Sequence, residues 1–179
     1  MNARAAVKAK GDEAPAASWR DAALQERPGT LIRRLHQIHT ALFLEECASE
    51  GITPVQYSVL SALEQFGPSE QIVLARAVGL DRATTAGVIG RLVEKRFVQS
   101  YASRTDKRKR VAELTKVGRA LLIRLEPKVG RAHERTLAAL SERNRVQFMR
   151  CLRQLVEANN EISRAPVGLA SDDESAHAE

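Results

Sequence analysis

Cysteine, aromatic residues and long apolar runs are all scarce in this sequence. Cys47 and Cys151 are the only two cysteines, far apart and without a CxxC pair. That excludes a disulfide framework or a cysteine-based zinc site and fits a reducing compartment. Aromatics make up only 4% of the chain, which favours aliphatic helix packing over a β-sandwich. No apolar run approaches the roughly 18 residues of a membrane span. The first residues, MNARAAVKAKGDEAPAAS, lack the apolar centre of a signal peptide. These absences predict a soluble cytoplasmic protein that does not span a membrane. Nucleophile elbow, phosphate loop, metal-ligand cluster and carboxylate pair are missing too, which argues against an enzyme and implies no cofactor.

What is present is helical periodicity and localised positive charge. The 179 residues are 44% hydrophobic, enough for one domain with tails. Net charge is +6 with a pI near 9.7, which favours an anionic partner, either nucleic acid or a membrane surface. Residues 95–110 hold Lys95, Arg96, Arg104, Lys107, Arg108, Lys109 and Arg110 against Asp106 alone. Seven minus one is +6, the whole formal net charge.

Residues 1–27 read as a mostly disordered arm with a short helix near Trp19. Trp19 is either a hydrophobic anchor for the arm or a ligand contact. Residues 30–50 carry a strong helical period, with Thr30 as its cap and Gly51 as its stop. Leu31, Leu35, Ile38 and Leu42 mark one side and Ile32, His39 and Phe43 an adjoining one. So much apolar surface predicts contact with both the core and a second subunit. Thr53-Pro54 caps and starts the next helix, and Gly67-Pro68 ends it. Thr115 caps a long helix containing Pro127, and Ser141 caps the last one. The tail, 166–179, reads as flexible and acidic.

Residues 70–115 are the centre of the chain. Two short helices are split by Val78-Gly79-Leu80, with Ala75 allowing close approach and Gly79 allowing φ > 0. Asp81 caps the second helix. Its exposed side presents Arg82, Ala83, Thr84, Ala86, Gly87 and Arg91, with no large apolar residue. Two alternating segments, 97–101 and 111–114, flank SRTDKRKR as a hairpin would. A charge run is often just a solvated loop. Beside an exposed small and polar helix, though, it suits phosphate contact. Arg82 and Thr84 occupy the first helical turn, where a recognition helix meets base edges. Thr85 and Arg91 extend that set. Arg104, Lys107, Arg108, Lys109 and Arg110 supply the grip. An acid beside DNA is repelled, so Asp106 is either a plain turn residue or shapes the wing by holding backbone or an arginine.

The run Asp106-Lys107-Arg108 through Leu114-Thr115 resembles the wing signature of the MarR family of winged-helix regulators, D-x-R followed by L-T. Thr53-Pro54-Val55-Gln56-Tyr57 is similar to that family's second helix, and Leu80 to Thr85 to the start of its recognition helix. The resemblance covers about residues 30–163. It implies a mainly α winged helix-turn-helix fold with a small β-hairpin wing, dimerised through N- and C-terminal helices. Residues 53–115 would bind DNA, and residues 28–52 with 116–165 would pair two protomers. The homodimer would read a pseudo-palindromic operator in double-stranded DNA, its half-sites on the order of 34 Å apart. Ala86, Gly87 and Gly90 are small where relatives often carry polar groups, so base contacts would be few.

The segment Leu31 to His39 and the run GITPVQYSVL are similar to the branch that represses nicotinate-degradation genes. Family members commonly bind a small aromatic acid between the dimerisation helices and the winged lobe. The resemblance implies His36, His39, Tyr57 and Phe43 as effector residues, with Arg33 or Arg20 as carboxylate partner. For each histidine the alternative is a hydrogen-bonded core or interface residue, and the lack of an accompanying cysteine or acidic cluster argues against a metal ligand. Cys47 is either an oxidation sensor, as in peroxide-responsive members of the family that carry a cysteine near the start of the first helix, or, lying near the end of its helix, a small apolar residue. The competing functional class is an effector-independent architectural DNA-binding protein.

Overall fold

The computed structural model describes residues 22–163 and residue 166. The sequence expectations for residues 1–21, including Trp19 and Arg20, and for most of the tail lie outside the described residues. The chain divides into two compact units, Met1–Gln37 and Ile38–Glu179.

In the first unit, a 3₁₀ turn at Leu24–Glu26 leads into helix α1 (Pro28–Glu46). This corrects the expectation that Thr30 caps the helix. Pro28 needs no backbone N–H and brings a helical φ, so the helix starts there. The N–H groups of Thr30 and Leu31 both donate to the Arg27 carbonyl at 3.0 Å. Leu31, Ile32 and Leu35 are exposed.

In the second unit, α1 ends at Glu46, and a 3₁₀ turn, Ala48–Glu50, closes on Gly51 at φ 59°. Helix α2 (Pro54–Phe66) opens with a reciprocal cap. Gln56 N–H donates to Thr53 Oγ1 at 3.3 Å, and Thr53 N–H donates to Gln56 Oε1 at 3.1 Å. Then come β1 (Ser69–Glu70), α3 (Gln71–Val78), α4 (Arg82–Glu94), β2 (Val98–Ala102) and β3 (Arg110–Leu114). Helices α5 (Lys116–Leu137) and α6 (Glu142–Ala158) follow. The expected two-stranded hairpin is the larger part of a three-stranded antiparallel sheet in the order β1-β3-β2, because Ser69 and Glu70 pair with Ala112 and Val111.

Leu60, Leu63, Leu74, Val88, Leu92, Val98, Leu121 and Leu125 fill the core of this unit. Gly79, at φ 64°, makes the tight corner between α3 and α4, and the Leu80 N–H closes on the Ala75 carbonyl at 3.0 Å. Thr115 joins β3 to α5: its Oγ1 accepts the Gly118 N–H at 3.0 Å and lies 2.8 Å from the Arg96 carbonyl. Gly118 sits so close to β2 that an added Cβ would lie 2.1 Å from the Phe97 carbonyl oxygen.

A ladder of charges ties α5 to the end of α1. Arg124 and Lys128 reach Glu50 at 3.1 and 2.8 Å. Arg131 and Arg135 both reach Glu46 at 2.8 Å. The Lys128 hydrogen bond, then that of Arg124, holds the Glu50 carboxyl below its ordinary value. Arg135, then Arg131, does the same for Glu46. On α6, Val146, Leu152, Leu155 and Val156 remain exposed. Among the described residues no helix is long and apolar enough to cross a membrane.

Candidate nucleic-acid interface

Helix α4 starts on Asp81, as its sequence position predicts. Asp81 Oδ1 accepts the Thr84 N–H at 2.8 Å, and Oδ2 accepts the Thr84 hydroxyl at 2.6 Å. Those bonds, the hydroxyl first, keep the Asp81 carboxyl below its ordinary 3.8. The Thr84 proton is therefore spent, and its oxygen can only accept. That matches it to an amino group of adenine or cytosine and not to a guanine acceptor.

Arg82 is exposed, and its side chain makes no hydrogen bond or ion pair among the described residues. Arg91 is exposed and lies back over Gly87, its Nη1 3.7 Å from where a Gly87 Cβ would be. Thr85 leaves the predicted contact set. It is fully buried, and its hydroxyl donates to the Asp81 carbonyl at 2.8 Å. Being one position, about 100°, from Thr84 on the helix turns it into the lobe.

The wing is internally braced. Asp106 accepts from the Arg108 N–H at 3.0 Å, from Nε at 3.1 Å and from Nη2 at 3.3 Å. Arg108 thus lowers the Asp106 carboxyl from its ordinary value, through the guanidinium first and the backbone second. Asp106 thus holds the Arg108 backbone and guanidinium at once. Arg108 itself remains almost fully exposed. Lys109 pairs with Glu70 Oε2 at 3.1 Å, and Arg110 Nη2 donates to the Ser100 carbonyl at 3.0 Å. Arg110 therefore covers the outer strand β2 and has less freedom to reach DNA. Arg104 and Lys107 are exposed and make no ion pair among the described residues. The Glu113 carboxylate stays on the outer sheet face, held by Gln99 Nε2 at 2.8 Å and Tyr101 Oη at 3.2 Å.

The sensing candidates fall in both units. Arg33 and His36 are exposed on the part of α1 in the first unit, and Arg20 lies outside the described residues. In the second unit, Phe43 is buried against Tyr57, ring centroids 5.8 Å apart. His39 stacks on His133 at 5.4 Å and contacts Thr136 Oγ1 through Nδ1 at 2.9 Å. The Thr136 hydroxyl donates to the Ala132 carbonyl at 2.7 Å, so it accepts from His39, which places a proton on Nδ1. Two open hollows of about 520 and 420 Å³ lie beside Tyr101 and beside Ile123, and neither is lined by His39, Phe43 or Tyr57. Burial pushes the Cys47 thiol up from its ordinary value.

Sequence reasoning missed Glu70, Gln71, His133 and Thr136 as partners of predicted residues. Glu70 and Lys109 are 39 positions apart and His39 and Thr136 are 97 apart, so no local spacing signals either pair. Gln71 Nε2 donates to the Arg82 carbonyl at 3.3 Å, which links the start of α3 to the start of α4.

Residues 52–109 match the family described as MarR family. The chain is 34% identical to the HTH-type transcriptional repressor NicR of Pseudomonas putida, over 75% of this chain and 85% of that protein. It resembles the structure of Bordetella bronchiseptica BpsR, whose DNA binding is regulated by 6-hydroxynicotinic acid. There the identity is 31%, the TM-score 0.67, and coverage 71% of this chain and 96% of that one. The Streptomyces coelicolor regulator PcaV, solved with its natural ligand, is 32% identical with a TM-score of 0.70, over 76% of this chain and 96% of that one.

Proposed function

The chain belongs to the MarR family of transcriptional regulators, and from that premise we propose that it is a homodimeric repressor released from a palindromic operator by a small aromatic acid related to nicotinate. The observation that carries the DNA-reading part is the pairing of an α4 face without large apolar residues with a wing that carries Arg104, Lys107, Arg108, Lys109 and Arg110 against Asp106 and Glu113. Arg82 and Thr84 read base edges from the first turn of α4, while Arg104, Lys107 and Arg108 grip phosphates. The helices of 28–52 and 116–165 pair the protomers. Exposed Val146, Leu155 and Val156 on α6 are apolar surface that a second copy would cover.

The effector reading rests on likeness to NicR and BpsR and on the chemistry around α1. His39 and Tyr57 offer aromatic faces and polar atoms to such an acid. Release requires that the acid favour one lobe spacing by about 1–3 kcal/mol.

Fluorescence anisotropy against duplexes from the chain's own promoter region tests this, with and without 6-hydroxynicotinic acid and other aromatic acids. One short palindrome should be preferred, and an acid should release it. His36→Ala and Tyr57→Phe should blunt release. Uniform coating of any duplex, indifferent to every acid, would instead identify an architectural protein.

A further inference from the structure

Glu70 is the N-cap residue of α3, yet its side chain makes no capping bond to that helix. The carboxylate goes to Lys109 instead, with Nζ 3.1 Å from Oε2 and 3.3 Å from Oε1. The backbone supports the pairing, because Glu70 on β1 is in register with Val111 on β3. The next residue, Gln71, donates to the Arg82 carbonyl at 3.3 Å, at the first residue of α4. Two consecutive side chains therefore connect the wing to the reading helix.

We infer that Glu70 is a specificity-determining residue: through Lys109 and its neighbour Gln71 it fixes the wing relative to α4 and withholds one cation from DNA phosphates. The inference rests on the DNA-reading function proposed above. A Lys109 ammonium engaged by a carboxylate must leave it or share it to meet a phosphate. Random DNA is held by phosphate contacts alone, so it loses one contact and tolerates any spacing of wing and helix. An operator needs both elements seated together, so it gains from their fixed register.

The test is a salt series of binding titrations with the full chain, on an operator duplex and on a scrambled duplex of equal length. Selective binding by the wild type establishes the underlying reading independently. Glu70→Gln should bind scrambled DNA more tightly, on the order of fivefold at about 0.1 M salt, with a log–log slope steeper by about one. Operator affinity should not tighten, so the operator-to-scrambled ratio should fall. The gain should vanish in the double variant E70Q/K109M. Glu70→Ser, whose hydroxyl can cap α3, should reproduce the result should E70Q fail to fold. Equal tightening on both duplexes, an unchanged slope, or a gain that survives in the double variant would each overturn the inference.

Discussion

Replacing Gly118 with alanine sets helix propensity against packing. In an unobstructed helix interior, Gly→Ala stabilises by about 1 kcal/mol. At Gly118 the new Cβ would lie 2.1 Å from the Phe97 oxygen and 3.0 Å from both the Phe97 carbonyl carbon and Leu114 Cδ2. The first distance is more than 1 Å inside the ordinary C···O approach of roughly 3.3 Å. Leu114 can turn aside, but the Phe97 carbonyl is backbone. It accepts the Thr115 N–H at 3.0 Å and also lies 3.2 Å from the Thr115 hydroxyl. Overpacking costs about 1–3 kcal/mol. Weakening the Phe97–Thr115 contacts adds about 1 kcal/mol per lost bond. The net expectation is destabilisation by about 2–3 kcal/mol, which lowers a urea midpoint by about 1–2 M. Far-UV circular dichroism at fixed protomer concentration reads it. Gly130 in the same helix is the control. Nothing lies within 4 Å of its Cβ position, so Gly130→Ala should gain about 1 kcal/mol. A Gly118→Ala midpoint at or above that of the wild type would refute the packing argument.

Asp106→Asn removes a negative charge from a DNA-facing wing, which Coulomb attraction alone would make tighter. Because Asp106 holds Arg108 and the turn backbone, affinity for every sequence should instead fall, by about tenfold in an anisotropy titration. Arg108→Ala should flatten the salt slope by about one unit, and an unchanged slope would take Arg108 off the phosphate list. Thr85→Val should cost about 1 kcal/mol in a thermal melt by deleting a buried hydroxyl bond, while leaving that slope alone. Glu46 and Glu50 have carboxyls held below the ordinary 4.5, so their ion pairs stabilise the fold above that pH and are lost as pH falls through the lowered values. Acid unfolding of Glu46→Gln should accordingly show a flatter decline below about pH 4.5 than the wild type.

Most of the helix-turn-helix and wing was legible because it is made by neighbours in the chain. Thr53, Asp81, Thr115 and Ser141 cap the helices they precede through bonds spanning three residues. Gly79 turns between α3 and α4, and Asp106 holds Arg108 two positions away. Such contacts close short loops at low entropic cost, so residue type and spacing announce them. The start of α1 at Pro28, two residues before the expected cap Thr30, is also local: proline lacks a backbone N–H and brings a helical φ, which suits a first helical position.

Composition and order alone pointed to packed aliphatic helices and an anionic partner, with a net +6 concentrated in residues 95–110 beside a small, polar helix face. Tertiary structure decided which of those groups are available to a partner. It buried Thr85, engaged Lys109 with Glu70, turned Arg110 onto Ser100 and stacked His39 on His133. It also added Ser69 and Glu70 to the sheet as a third strand. Each of these joins residues far apart in the chain or depends on how closely elements pack. A periodic pattern specifies the face a helix buries, but the partner waiting across that face exists only once the chain has folded.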